Sequence, residues 1–169
     1  MNEEQKKFLE KIRGMNVEDL RILYETAITQ VGAGIEQRVS PDKMEFWFRV
    51  IEAITRAPAY NQIHPRVREQ LAKDLKKRVF LASYNLIEPG EFVLEKILLK
   101  RNLTIKGKSY KTGWYKVPEE MDKGLACWLV DKGFAEMGLR IVGCEPPEEL
   151  HKINKLLEKI TGVPLFFST

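Results

Sequence analysis

Through the first hundred residues apolar side chains recur every three or four positions, the spacing of one face of a helix. Phe8, Leu9 and Ile12 form one stripe, and Gly14 offers a C-terminal stop. Asn16 is placed to cap a second helix, with Asp19 three residues on, and Leu20, Leu23, Tyr24, Ala27, Ile28 and Val31 follow at helical spacing. Gly32 and Gly34 are expected to end or bend it. Ser40-Pro41-Asp42 joins an N-cap, a proline at the first helical position and an acid in the first turn. The third helix then carries Met44, Trp47, Phe48, Ile51 and Ile54 as far as Pro58. Pro65 opens a fourth, on which Val67, Leu71, Leu75, Val79 and Ala82 recur. After the break at Pro89-Gly90, a short helix is expected through Phe92, Val93, Ile97 and Leu98.

Near Asn102 the period changes. Leu103 and Ile105 alternate with polar residues, Gly107-Lys108 and Thr112-Gly113 signal turns, and Trp114, Tyr115 and Val117 favour strand. Pro118 is expected to start a helix with Glu119 and Glu120 in its first turn and Met121, Leu125, Trp128 and Leu129 on one side. Gly133 reads as its left-handed cap, which would let Phe134 pack back on Leu129. A strand over 139–143, a helix after Pro146-Pro147 ended by Gly162, and a short strand in VPLFFST complete the pattern. The fold class is therefore α+β and predominantly α. A helical bundle domain over 1–100 precedes a small mixed β/α domain over 101–169.

Charge adds a second pattern. The net charge of +4 is mild, but its distribution is uneven. Arg66 to Arg78 holds six bases against two acids, and Glu95 to Lys116 holds seven against one, so the middle of the chain is positive and the flanks dilute it. In the second cluster the bases interleave with Tyr110, Trp114 and Tyr115. Cations can neutralise phosphates while aromatic faces stack on unpaired bases. A small twisted sheet with an aromatic core and lysines facing water would produce the same composition. For the nucleic-acid reading the candidate contacts are Arg66, Lys73, Lys77, Lys106, Lys108, Lys111 and Trp114.

Familiar catalytic signatures are missing. Gly107-Lys108-Ser109 resembles the end of a phosphate loop, yet Asn102 stands where that loop needs its first glycine. Val31-Gly-Ala-Gly34 follows a helical pattern and lacks the third glycine of a dinucleotide fingerprint. Glu119/Glu120 and Glu148/Glu149 follow prolines, where acids complement a helix N-terminus. His64 and His151 have no second ligand at metal spacing, and Cys127 and Cys144 form no ligand pattern. The expectation is a non-enzymatic protein with no cofactor, no metal and no small-molecule substrate. No apolar run approaches the ~20 residues of a membrane span and no signal peptide opens the chain, so the expected location is cytoplasmic, without membrane contact. Abundant Lys, Glu and Ile would suit a thermophile.

Two stretches carry a family resemblance. LKKRVFLASYNLIEPGEFVLEKIL (75–98) resembles the arginine-containing final helices in subunits of the GINS replication complex of archaea and eukaryotes. LTIKGKSYKTGWYKVPEEMDKGLACWLVDKGFAEM (103–137) resembles the small domain of that family, in which a strand and turn precede a Pro-started helix and a G-x-A-E ending, here Gly133 to Glu136. Residues 138–169 continue beyond that ending, and the first 60 residues lack a family signature. The resemblance implies a scaffold without catalytic residues that assembles with protein partners in DNA replication. Two classes of function follow: an assembly or nucleic-acid-associated protein, and a protein–protein adaptor or homo-oligomer that touches no nucleic acid.

Overall fold

The computed structural model describes residues 1–167. Helix accounts for 57% of the chain and strand for 17%, an α+β fold that is predominantly α. Two compact units divide it, one of residues 1–86 with 147–162, the other of residues 87–146 with the segment from Val163. This differs from the expected boundary at 100/101 in two ways. The helical unit stops at Leu86, and a late helix returns to it.

The helical unit contains α1 (Glu3–Ile12), α2 (Val17–Glu36), α3 (Pro41–Arg56), a 3-10 turn (Pro58–Gln62), α4 (Pro65–Leu86) and α6 (Glu148–Thr161). Asn2 and Asn16 cap the first two helices through their side chains, whereas Ser40 at the start of α3 makes no side-chain cap bond. α2 packs on both α3 and α4, and α6 packs on α3 and α4. Their apolar stripes meet in a core that includes Leu20, Tyr24, Ile51, Leu75, Leu150 and Leu157, all without solvent exposure. Gly32 and Gly34 do not end or bend α2, which runs on to Glu36. They allow close approach instead. A Cβ at Gly32 would lie 2.7 Å from an Arg78 guanidinium nitrogen, and one at Gly34 would lie 2.9 Å from Met44 Cε.

Burial pushes the Tyr24 phenol far above its ordinary pKa, with neighbouring Tyr60 adding to the shift and Arg68 opposing it. Its hydroxyl is buried and makes no hydrogen bond of normal geometry among the described residues, the neighbouring Tyr60 hydroxyl offering at most a weak, poorly aligned one. An unpaired buried hydroxyl costs ~1–3 kcal/mol. Tyr24→Phe is therefore expected to leave stability unchanged or raise it by about 1 kcal/mol. A lower urea midpoint for this variant would show that the hydroxyl is bonded after all.

The second unit contains β1 (Glu91–Leu99), β2 (Leu103–Ile105), β3 (Lys108–Tyr110), β4 (Gly113–Lys116), α5 (Lys123–Asp131), β5 (Ala135–Val142) and β6 (Phe166–Phe167). Its main sheet has the order β4-β1-β5-β6, antiparallel except for the parallel β5–β6 pair, and β2 and β3 form a separate hairpin. The segment expected to be a helix through Phe92, Val93, Ile97 and Leu98 is the long strand β1, paired on both sides. A bulge at Glu95 shifts its pairing with β5. Leu94, Ile97 and Leu99 therefore face inward at uneven spacing and pack on Val117, Met121, Ala126 and Leu129.

Pro118 does not begin a helix either. Residues 117–120 form a turn in which the Glu120 side chain accepts a bond from the Lys116 amide, and Asp122 caps α5 shortly after it. Trp128, expected on the inner side of α5, is 48% exposed. Gly133 does adopt a left-handed conformation, and Phe134 packs against the cluster that holds Leu129. The strand expected at 139–143 begins earlier, at Ala135. Of the expected terminal strand, Phe166 and Phe167 pair with β5, while Ser168 and Thr169 lie outside the described residues. No helix among the described residues is long and apolar enough to cross a membrane.

Candidate nucleic-acid interface

Arg66, Lys73 and Lys77 lie on α4, seven and then four residues apart. Seven residues are nearly two helical turns, so the three share one stripe, and all are exposed. The other members of that basic cluster have structural roles. Arg68 donates to the Ile63 carbonyl at 3.0 Å and lies 5.0 Å from the centre of the Tyr60 ring. Lys76 is buried, and Arg78 pairs with Glu36. His64 stands just before the helix, where its Nδ1 accepts from the Arg66 amide at 3.1 Å.

Lys106, Lys108, Lys111 and Trp114 belong to the second unit, where they occur within nine residues of sequence on the β2–β3 hairpin, the following turn and β4. Ile105 pairs with Lys108, leaving Lys106 and Gly107 as the two-residue loop. Both have positive φ, 50° and 79°, as the tight hairpin turn matching strand twist requires. The Gly-Lys-Ser run is thus a hairpin tip, with no helix after it to cradle a phosphate. Lys111 sits on a fixed loop: the Asn102 side chain accepts from the Thr112 amide at 2.9 Å, and the Tyr115 hydroxyl donates to the Lys111 carbonyl at 2.7 Å.

The three interleaved aromatics separate by face. Tyr110 and Tyr115 meet edge-on at 6.0 Å and pack, half-buried, against the core. Trp114 points to the opposite face and is 41% exposed. None of the six candidate cations has a carboxylate within ion-pair distance among the described residues. By contrast Arg21, Arg49, Arg78, Lys100 and Lys159 are paired.

The strand register adds residues that sequence reasoning did not select. Across β1 and β4, Leu98 stands opposite Trp114 and Lys96 opposite Lys116, which places all four on the outer face. On the same face Gly138 stands opposite Lys96, and Phe167 pairs with Arg140 two residues further along β5. The Lys96 ammonium lies 4.7 Å from the centre of the Trp114 ring and 4.2 Å from that of Phe167. The alternation of Lys96 and Leu98 with buried Ile97 and Leu99 was the available signal, but it appears only once 91–99 is read as strand.

No known family model, curated protein or solved structure is matched by this chain.

Proposed function

We propose that this protein is a non-catalytic, nucleic-acid-associated assembly protein, a scaffold of the kind that its resemblance to GINS replication subunits implies. The observation that carries the reading is the set of cations at 106, 108 and 111, without carboxylate partners among the described residues, held on a tight hairpin and a pinned loop a few residues before exposed Trp114 in sequence. Lysines free of carboxylate partners give up no ion pair when they meet phosphates, and each phosphate neutralised releases counterions. The α4 stripe of Arg66, Lys73 and Lys77 offers the same chemistry from the helical unit.

Titration of the purified chain with single- and double-stranded oligonucleotides at several salt concentrations tests the reading. Binding is expected to weaken steeply as salt rises. Replacing Lys106 by Asn and Lys108 and Lys111 by Gln should reduce the slope of log affinity against log salt by ~2–3. Asn tolerates the positive φ at 106, so the hairpin should survive in that variant. Unchanged affinity and slope would remove this surface from the proposal.

A second reading, an adaptor or homo-oligomer without nucleic-acid contact, draws on Leu81 and Tyr84. They stand three residues apart on α4 and are 58% and 51% exposed. A stable oligomer by light scattering in nuclease-treated protein, with no oligonucleotide binding, would favour it.

A further inference from the structure

We propose that the outer face of the β4-β1-β5-β6 sheet is a stacking platform for an unpaired nucleic-acid strand, with Trp114 as the base-stacking ring and Lys96 and Lys116 as the phosphate contacts. The inference rests on the nucleic-acid reading above and specifies its ligand.

Three observations lead there. Trp114 is a large aromatic ring left 41% exposed on a sheet face, and Phe167 braces it edge-on with ring centres 5.4 Å apart and planes at 80°. A braced ring loses little freedom when a base stacks on it. Bases within a duplex are already stacked on their neighbours, so only an unpaired base can offer its face to the indole.

Lys96 and Lys116 stand directly opposite each other in the β1–β4 register, and neither has a carboxylate partner among the described residues. Like charges directly opposite destabilise a sheet. An anion bound between them would relieve that repulsion. The other cations on this face have carboxylates near them: Arg140 lies 3.8 Å from Glu95, an ion pair too long to be a hydrogen bond to its buried Nε, and Lys100 lies 2.8 Å from Glu136. The unpaired positive charge is therefore concentrated beside the indole.

Gly138 lies under this arrangement. A Cβ there would come within 2.8 Å of Lys96 Cγ and 3.0 Å of Phe167 Cε2, so the lysine stem and the phenyl ring rest directly on the β5 backbone. That close seating holds the ammonium over both rings.

The proposal commits to a strand of ribo- or deoxyribonucleotides, because backbone phosphates and base faces match the cation pair and the ring together. Labelled oligo-thymidylate, oligo-uridylate and a mixed-sequence duplex would be titrated by fluorescence anisotropy into the full chain and its variants, with poly-glutamate as competitor. A single strand should bind at least tenfold more tightly than duplex, and the two single-strand arms report any preference for DNA or RNA. Trp114→Ala should weaken single-strand binding about tenfold with little change for duplex, while Trp114→Phe should retain most of it. The double variant Lys96→Gln/Lys116→Gln should lower the single-strand salt slope by ~1.4. Trp128 is as exposed as Trp114 but lies on α5, which packs on the inner side of the sheet, so Trp128→Ala should change nothing. Equal affinity for duplex and single strand, with Trp114→Ala silent, would overturn this proposal and leave the broader nucleic-acid reading standing. Absence of binding to any oligonucleotide would overturn both. Displacement of the strand by poly-glutamate at equal charge concentration would assign the face to an acidic peptide instead and overturn it as well.

Discussion

Gly90→Ala is expected to destabilise the second unit by about 3 kcal/mol, near the upper end of what overpacking costs. A Cβ at this position would lie 2.8 Å from the Ile87 carbonyl oxygen, 2.8 Å from the Val142 carbonyl oxygen and 2.5 Å from Cys144 Sγ. The sulfur can turn aside at the loss of its 2.9 Å bond to the Ile87 carbonyl. The two carbonyls cannot move so cheaply. Ile87 O accepts from the Gly90 amide itself, and Val142 is the partner of Glu91 at the start of the β1–β5 ladder. Relieving the clash would require unzipping that end of the ladder. Urea denaturation of Gly90→Ala, alone and combined with Cys144→Ala, separates the contributions. The second substitution should recover less than half of the loss, because the carbonyl contacts remain. Full recovery would show that only the sulfur was in the way.

How much of this was legible in the sequence depended on whether the deciding interaction was local. The first four helices announce themselves through stripes and caps that lie within a few residues of each other, and Asn16 and Gly133 take the positions their chemistry predicts. β1 was misread for a specific reason. The bulge at Glu95 separates the inward-facing Leu94 and Ile97 by three residues, which is helical spacing, and only pairing with the distant β4 and β5 resolves the ambiguity. The same misreading displaced the domain boundary from Leu86 to 100. Trp128 fails differently: Ala126 and Leu129 supply the buried positions of α5, and the indole points away from them.

The candidate surface was legible to a similar extent. Lys106, Lys108, Lys111 and Trp114 could be chosen from composition because they are contiguous, and Arg66, Lys73 and Lys77 from helical spacing. The Lys96–Lys116 pair and the bracing of Trp114 by Phe167 join residues from three strands, and no local pattern encodes which strands are neighbours.

The register that defines this face is itself testable through the two faces of β1. Ile97→Ala should cost about 3 kcal/mol and Leu98→Ala about 1 kcal/mol or less, as expected for a fully buried and a half-buried aliphatic side chain. Ile97 has no exposed surface and packs into the cluster formed with Leu99, Val117 and Leu129, where truncation leaves a cavity that the surrounding strands cannot close. Leu98 faces the other way, opposite Trp114, and is only half-buried, so water can fill the space its side chain leaves. Trp114 and Trp128 lie in this unit, so unfolding of the strand can be followed by tryptophan fluorescence in urea. Equal losses at 97 and 98 would mean that both side chains share one buried face, as on a helix. Lys96 and Lys116 would then lose their cross-strand pairing, and the platform would have no physical basis. A loss at 97 several times that at 98 fixes the alternation, and with it the outward direction of Lys96, Leu98 and Trp114.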